Sequence, residues 1–225
     1  LNNKINTLNP IRGLFRIIAF ILLFLAEQIP LSILTLTKKD LGPKYASYLK
    51  IAPLITLVLL TISVAILWIV FKRAQKFKSV QFNKTTWIII GIASILVFAV
   101  NLITVPMMKT TNDNVAALEL IAKNNMLILV LFTIIVAPIL EEILFRGIFM
   151  NWFFVNNPLV SVLISGIAFG YAHAPFSPST DWVYALSKVL LGIILAAVYV
   201  RTKNIKASIT VHFLNNFLAI LSGIL

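Results

Sequence analysis

Seven long apolar stretches separated by short polar loops leave this chain few ways to fold; they lie near residues 14–36, 51–71, 87–106, 126–150, 158–173, 183–200 and 207–225. A helix needs about 20 mostly apolar residues to cross the hydrocarbon of a bilayer. Lipid offers no partner to a bare peptide group, so only helices and closed barrels cross it. These runs are continuous and lack the two-residue alternation of barrel strands. The expected fold is all-α, a polytopic transmembrane helical bundle of about seven spans, six to eight allowing for boundary error. The composition agrees, with 60% hydrophobic and 12% charged residues among 225. The spans consume nearly the whole length, so a single membrane domain over 1–225 is expected, its motif-bearing core at about 126–225. The first run, Phe15 to Leu36, is longer than a signal-peptide core and reads as a retained helix.

A net charge of +12 would raise the question of nucleic acid in a soluble protein. Here the basic residues cluster between apolar runs, as loops facing cytoplasm and anionic headgroups do. The bilayer is the partner this charge implies, and no nucleic acid is expected. Lys4, Arg12 and Arg16 precede the first span, Lys72, Arg73, Lys76, Lys78 and Lys84 follow the second, and Arg201, Lys203 and Lys206 precede the last. Seven spans put all three clusters on one side, so the chain is expected in a cell membrane with its N-terminus cytoplasmic. Lys38, Lys39, Lys44 and Lys50 do not fit this pattern. The polar stretch Met107 to Asn125 is expected to form an extracytoplasmic amphipathic helix. Asn83-Lys84-Thr85 matches a glycosylation acceptor and reads as chance. Without cysteine there is no disulfide, thiol nucleophile or thiolate-bound metal.

Ionisable groups inside apolar runs are costly, so they face a bundle interior or a water cavity and mark function. Glu27 and Lys188 read as near-interface residues, whereas Glu141, Glu142, Arg146, His173 and His212 form a pattern. On a helix Glu142 and Arg146 are four apart and can pair, while Glu141 points about 100° away. Arg146 can therefore neutralise one carboxylate and leave the other free. Phe169 and His173 share one helical face, as do His212 and Asn216. The protein has only two histidines, and both sit in apolar segments with such partners one turn away.

Glu-Glu-x-x-x-Arg, then Phe-x-x-x-His, then His-x-x-x-Asn, on three successive apolar segments from Glu141 to Asn216, resembles the type II CAAX prenyl endopeptidase and bacteriocin-immunity (Abi, CPBP) family of intramembrane proteases. The N-terminal half carries no motif that aligns. The resemblance implies an intramembrane endopeptidase with Glu141 as catalytic glutamate, Glu142 and Arg146 as its structural partners, and His173, His212 and Asn216 completing the site. Peptide hydrolysis needs an activated water, a proton for the leaving amine and donors for the oxyanion. Glu141 is expected to work on the water with His173, and His212 with Asn216 to hold the oxyanion.

Two histidines and a glutamate also form a known zinc set, so Glu141, His173 and His212 could hold Zn; a metal-free glutamate/histidine mechanism uses the same residues. Asn216 beside His212 favours the metal-free reading. The expected substrate is a membrane-associated bacterial peptide or protein segment, in peptide maturation or bacteriocin immunity; abundant Ile, Asn and Lys fit a low-GC bacterium. The rivals are a non-enzymatic immunity or scaffold protein, and a transporter, which would need paired interrupted helices in two related halves. The site is expected to open to the cytoplasmic face.

Overall fold

The structure, a computed structural model, describes residues 10–76, 78–108 and 113–222, with the backbone alone for 113–115. Lys4 and Lys109 lie outside the described residues. The chain is an all-α polytopic bundle. Its long helices are α1 (Pro10–Ser32), α2 (Tyr45–Ala74) and α3 (Lys84–Thr104). Next comes α4, which runs as α-helix over Asp113–Leu131, π-helix over Phe132–Val136, α-helix over Ala137–Glu142, π-helix over Ile143–Phe149 and a last α-turn over Met150–Trp152. It is followed by α5 (Pro158–His173), α6 (Trp182–Thr202) and α7 (Ile205–Leu221). Among the described residues, five helical stretches are long and apolar enough to cross a bilayer. The remaining two, α5 and α7, have 16 and 17 residues. At 1.5 Å per residue they measure about 25 Å, short of the roughly 30 Å hydrocarbon core, so they depend on their neighbours.

Side chains that satisfy the first free amides set where helices begin. Asn157 with Pro158 starts α5, Asp181 accepts from two amides of α6, and Asn204 caps α7. Asn83, the residue of the apparent glycosylation pattern, caps α3 by accepting from Thr86 N at 2.9 Å. Within the polar stretch Met107 to Asn125, a helix begins at Asp113 and is set off from the fourth apolar run by non-helical backbone at Asn125 (φ −142°, ψ 46°).

Successive helices alternate in direction, and polar contacts gather their ends on two faces. On one face Arg16 Nη1 donates to Trp152 O at 2.7 Å, Lys76 N to Asn151 Oδ1 at 3.1 Å, and Asn204 Nδ2 to Val80 O at 2.7 Å. This is the face of the basic clusters. The opposite face holds the ends of α1, α3 and α5 and the start of α6.

The tightest seam joins α5 to α6. Gly166 and Gly170, four apart on α5, meet the α6 backbone so closely that an added Cβ would lie 2.8 Å from Ile193 N and 2.9 Å from Val189 N. Small residues let membrane helices approach in this way. Gly192 faces Gly166 across the seam, which exposes its carbonyl to the bundle interior. Around the seam Leu144, Phe145, Phe169, Leu195 and Val211 form the dry centre.

Candidate active site

The α-turn Ala137–Glu142 between the two π-helical segments presents adjacent carboxylates in different directions. Glu142 turns inward, fully buried, with Oε1 3.0 Å from Arg146 Nη1, as the four-residue spacing predicts. Arg146 Nη2 donates to Gly192 O at 2.7 Å, using the carbonyl bared by the glycine seam. The guanidinium also lies 4.8 Å from the centre of the Phe169 ring. The second π-helical segment lies where the chain must place Arg146 while leaving Glu141 on another face, consistent with the tendency of such distortions to sit at functional sites.

Glu141 faces the two histidines. Its Oε2 lies 3.5 Å from His173 Nε2 and 3.8 Å from His212 Nε2, and it has no hydrogen-bond partner among the described residues. His173 Nδ1 is 2.9 Å from Phe169 O, and a carbonyl only accepts, so Nδ1 carries the hydrogen. His212 Nδ1 stands 3.2 Å from Glu142 Oε1, a carboxylate already held by Arg146, and donates there likewise. In their neutral forms both rings then turn an Nε2 lone pair towards Glu141. Three acceptors converge on one spot, and a water molecule placed there would donate to two of them. Phe169 fixes the rings from behind, its centroid 4.4 Å from that of His173 and 5.6 Å from that of His212.

Asn216 is held by two contacts that leave it one free donor. Its Nδ2 gives a hydrogen to Thr133 O at 2.9 Å, and its Oδ1 accepts from Asn215 Nδ2 at 2.9 Å. The His212 donor hydrogen is turned to Glu142, away from the cavity. One Asn216 N–H remains for an incoming oxygen. Asn215 Oδ1 in turn accepts from Asn101 Nδ2 at 2.8 Å, tying α3 to the helix that carries His212.

These groups line a cavity of about 910 Å³. Its walls come from the second halves of α1, α3, α5 and α7, the first half of α6, and α4 between Leu118 and Phe145, so it lies towards the face opposite the basic clusters. This corrects the expected sidedness: a cytoplasmic N-terminus and a cytoplasmic entrance cannot both hold in this fold. Glu27 and Lys188, given no chemistry on sequence grounds, both line the cavity. Each stood out as a charge inside an apolar run; their convergence is a tertiary fact. Ser165 is fully buried with its Oγ turned to Phe145 O at 3.4 Å, a packing residue.

A zinc ion here would have to take Glu141 Oε2 and the two Nε2 atoms. These three donors already converge, with Glu141 Oε2 3.5 and 3.8 Å from the two Nε2 atoms, so Glu141, His173 and His212 are the residues that would hold such an ion and let it polarise a water.

Residues 123–218 match the family model of type II CAAX prenyl endopeptidase Rce1-like proteins. Over this stretch the chain is similar to the Rce1-like proteins. The Rce1-like region begins near the break in α4, ends within α7 and contains all seven residues singled out by motif; Glu27 lies outside it. The chain is also 34% identical over 90 residues to a Bacillus subtilis (strain 168) protein named "Putative membrane peptidase YdiL". That alignment spans 40% of this chain and 34% of the relative's length. No solved structure matches the chain.

Proposed function

We propose that this protein is an intramembrane endopeptidase that hydrolyses a peptide bond of a membrane-associated peptide with a water held by Glu141, His173 and His212. The observation that carries this reading is the buried, hydrogen-bond-free Oε2 of Glu141 facing two imidazole Nε2 atoms at 3.5 and 3.8 Å, inside a cavity large enough for a peptide segment. The Rce1-like match and the membrane-peptidase relative support the same activity.

In the proposed reaction the water gives one hydrogen to Glu141 and the other to an imidazole Nε2, which aims its oxygen at the carbonyl carbon. Glu141 takes the first proton as the new C–O bond forms and the carbonyl electrons move to oxygen. The free N–H of Asn216 is the protein donor assigned to that oxyanion. Collapse breaks the C–N bond, and Glu141 returns its proton to the leaving nitrogen. Glu142 and Arg146 touch no reacting atom; they hold His212 in the tautomer that leaves Nε2 free.

The substrate is proposed to be a bacterial peptide or membrane-protein segment, with peptide maturation or immunity as the setting. Purified protein incubated with candidate peptides, with products located by mass spectrometry, tests the activity. Glu141→Ala is expected to lower cleavage by about 10²- to 10⁴-fold, the span of a lost general base, with membrane expression unchanged. Turnover retained in that variant would sink the assignment.

A further inference from the structure

The cavity holds a second carboxyl that the proposed hydrolysis does not use. Glu27 sits on α1, within a run from Ile17 to Leu31 that is otherwise apolar save for Gln28, and is only 3% exposed. It nevertheless lines the same cavity as Glu141. Among the described residues its one hydrogen bond comes from Gln28 Nε2, at 2.5 Å to Oε2. Among the described residues no Lys, Arg or His nitrogen lies within ion-pair distance of it. Lys188, the lysine that shares the cavity, lies over the Tyr184 ring with its Nζ 5.0 Å from the centroid, and Arg146 is engaged by Glu142 and Gly192 O. A carboxylate kept from water without a counter-charge is expensive, and a ligand that brings the missing cation removes that expense.

We infer that Glu27 is a specificity residue that receives a lysine or arginine side chain from an otherwise apolar peptide in the cavity. The inference rests on the peptidase reading in taking a peptide as the occupant. The cavity's chemistry fits this substrate class. Its walls are mostly side chains such as Phe24, Leu31, Phe132 and Leu191, while its two acids, Glu27 and Glu141, outnumber the single lysine among the lining residues. Gln28 holds Glu27 in place. Because α1 lies outside the Rce1-like stretch, this contact would be a feature of the chain's N-terminal half added to the hydrolytic machinery.

The test reads binding in a background that cannot turn over. Glu141→Gln protein in detergent micelles is titrated with an N-acetylated, C-amidated Leu/Ala peptide carrying one central arginine, and with the same peptide carrying citrulline, which keeps the shape and removes the charge. The arginine peptide is expected to bind about tenfold more tightly, a modest value for a desolvated charge pair. Adding Glu27→Gln should bring the ratio to about one. No preference in the parent, or a preference that survives Glu27→Gln, overturns the inference. Should Glu27→Gln fail to fold, a photoreactive residue placed beside the peptide's arginine must cross-link the Glu27 segment of α1 in the parent; cross-links confined to other helices overturn it equally. Failure of the wild type to cleave any peptide sinks the hydrolase reading and leaves the charge preference standing, so the two failures are distinguishable.

Discussion

The N-terminal helices and the Rce1-like helices use the same apolar alphabet differently. Of the most apolar 18 residues in each, 22%, 17% and 22% are buried in the stretches carrying α1, α2 and α3, against 50% in those carrying α4 and α6. The first group turns Ile, Leu and Phe to lipid, for which burial against protein brings little advantage. The second group needs protein around it because of what it carries: Glu142 and Arg146 are fully buried and His212 is 2% exposed. In a bilayer the groups that must be shielded are the polar ones, so the polar cluster of this bundle lies in its best-packed part. Glu27 crosses that division, a single acid that the lipid-facing half sends into the shielded half.

The sharpest test of this division is access. Ala172→Cys lies in the cavity wall and Lys78→Cys in a basic loop of this naturally cysteine-free chain. An impermeant thiol reagent should label the two from opposite faces, in an all-or-none manner. Labelling of both from one face would overturn the placement of the entrance.

Next in size is the loss of Arg146. Arg146→Ala strands Glu142 as a buried, unpaired carboxylate, at a cost of about 3–5 kcal/mol, and should lower folded yield in size-exclusion profiles. Replacing both residues with apolar side chains of similar volume should restore yield without restoring cleavage. If yield stays low, the pair is not the source of the cost.

Glycine allows one substitution to be compared across both halves. Gly170→Ala drives a methyl into Val189 of α6 and should destabilise by about 1–3 kcal/mol, read as a lower thermal midpoint. Gly91→Ala on α3 meets nothing within 4 Å and should stabilise by about 0.5–1 kcal/mol through helix propensity. Equal effects at the two sites would dissolve the distinction between a lipid-facing and a protein-packed half.

Much of this was legible in the chain because helical periodicity is local. The pairing of Glu142 with Arg146, the different aim of Glu141, and the faces shared by Phe169 with His173 and by His212 with Asn216 all follow from spacing. Other features depended on the fold. Glu27 and Glu141 are far apart in sequence, and no periodicity on α1 reveals what α1 will face. The Asn216 partner, Thr133 O, is a backbone atom on another helix, so its engagement left no mark in the side-chain pattern. The side on which the cavity opens was not legible either, because which end of the bundle parts is decided by packing between helices rather than by spacing along one.

The π-helical segment Ile143–Phe149 makes the site sensitive to chain length as well as to residue identity. A π-helical segment accommodates an extra residue without breaking the helix, so deleting one residue there would let it relax to ordinary α-helix. The flanking helix would keep its direction, because the π turn had already absorbed the extra residue, but a deletion between Glu142 and Arg146 would shorten their spacing from four residues to three. The ion pair would be presented differently even though every motif residue survived in the sequence. Along this turn a substitution alters one contact, whereas a single-codon deletion would reset the spacing of the pair.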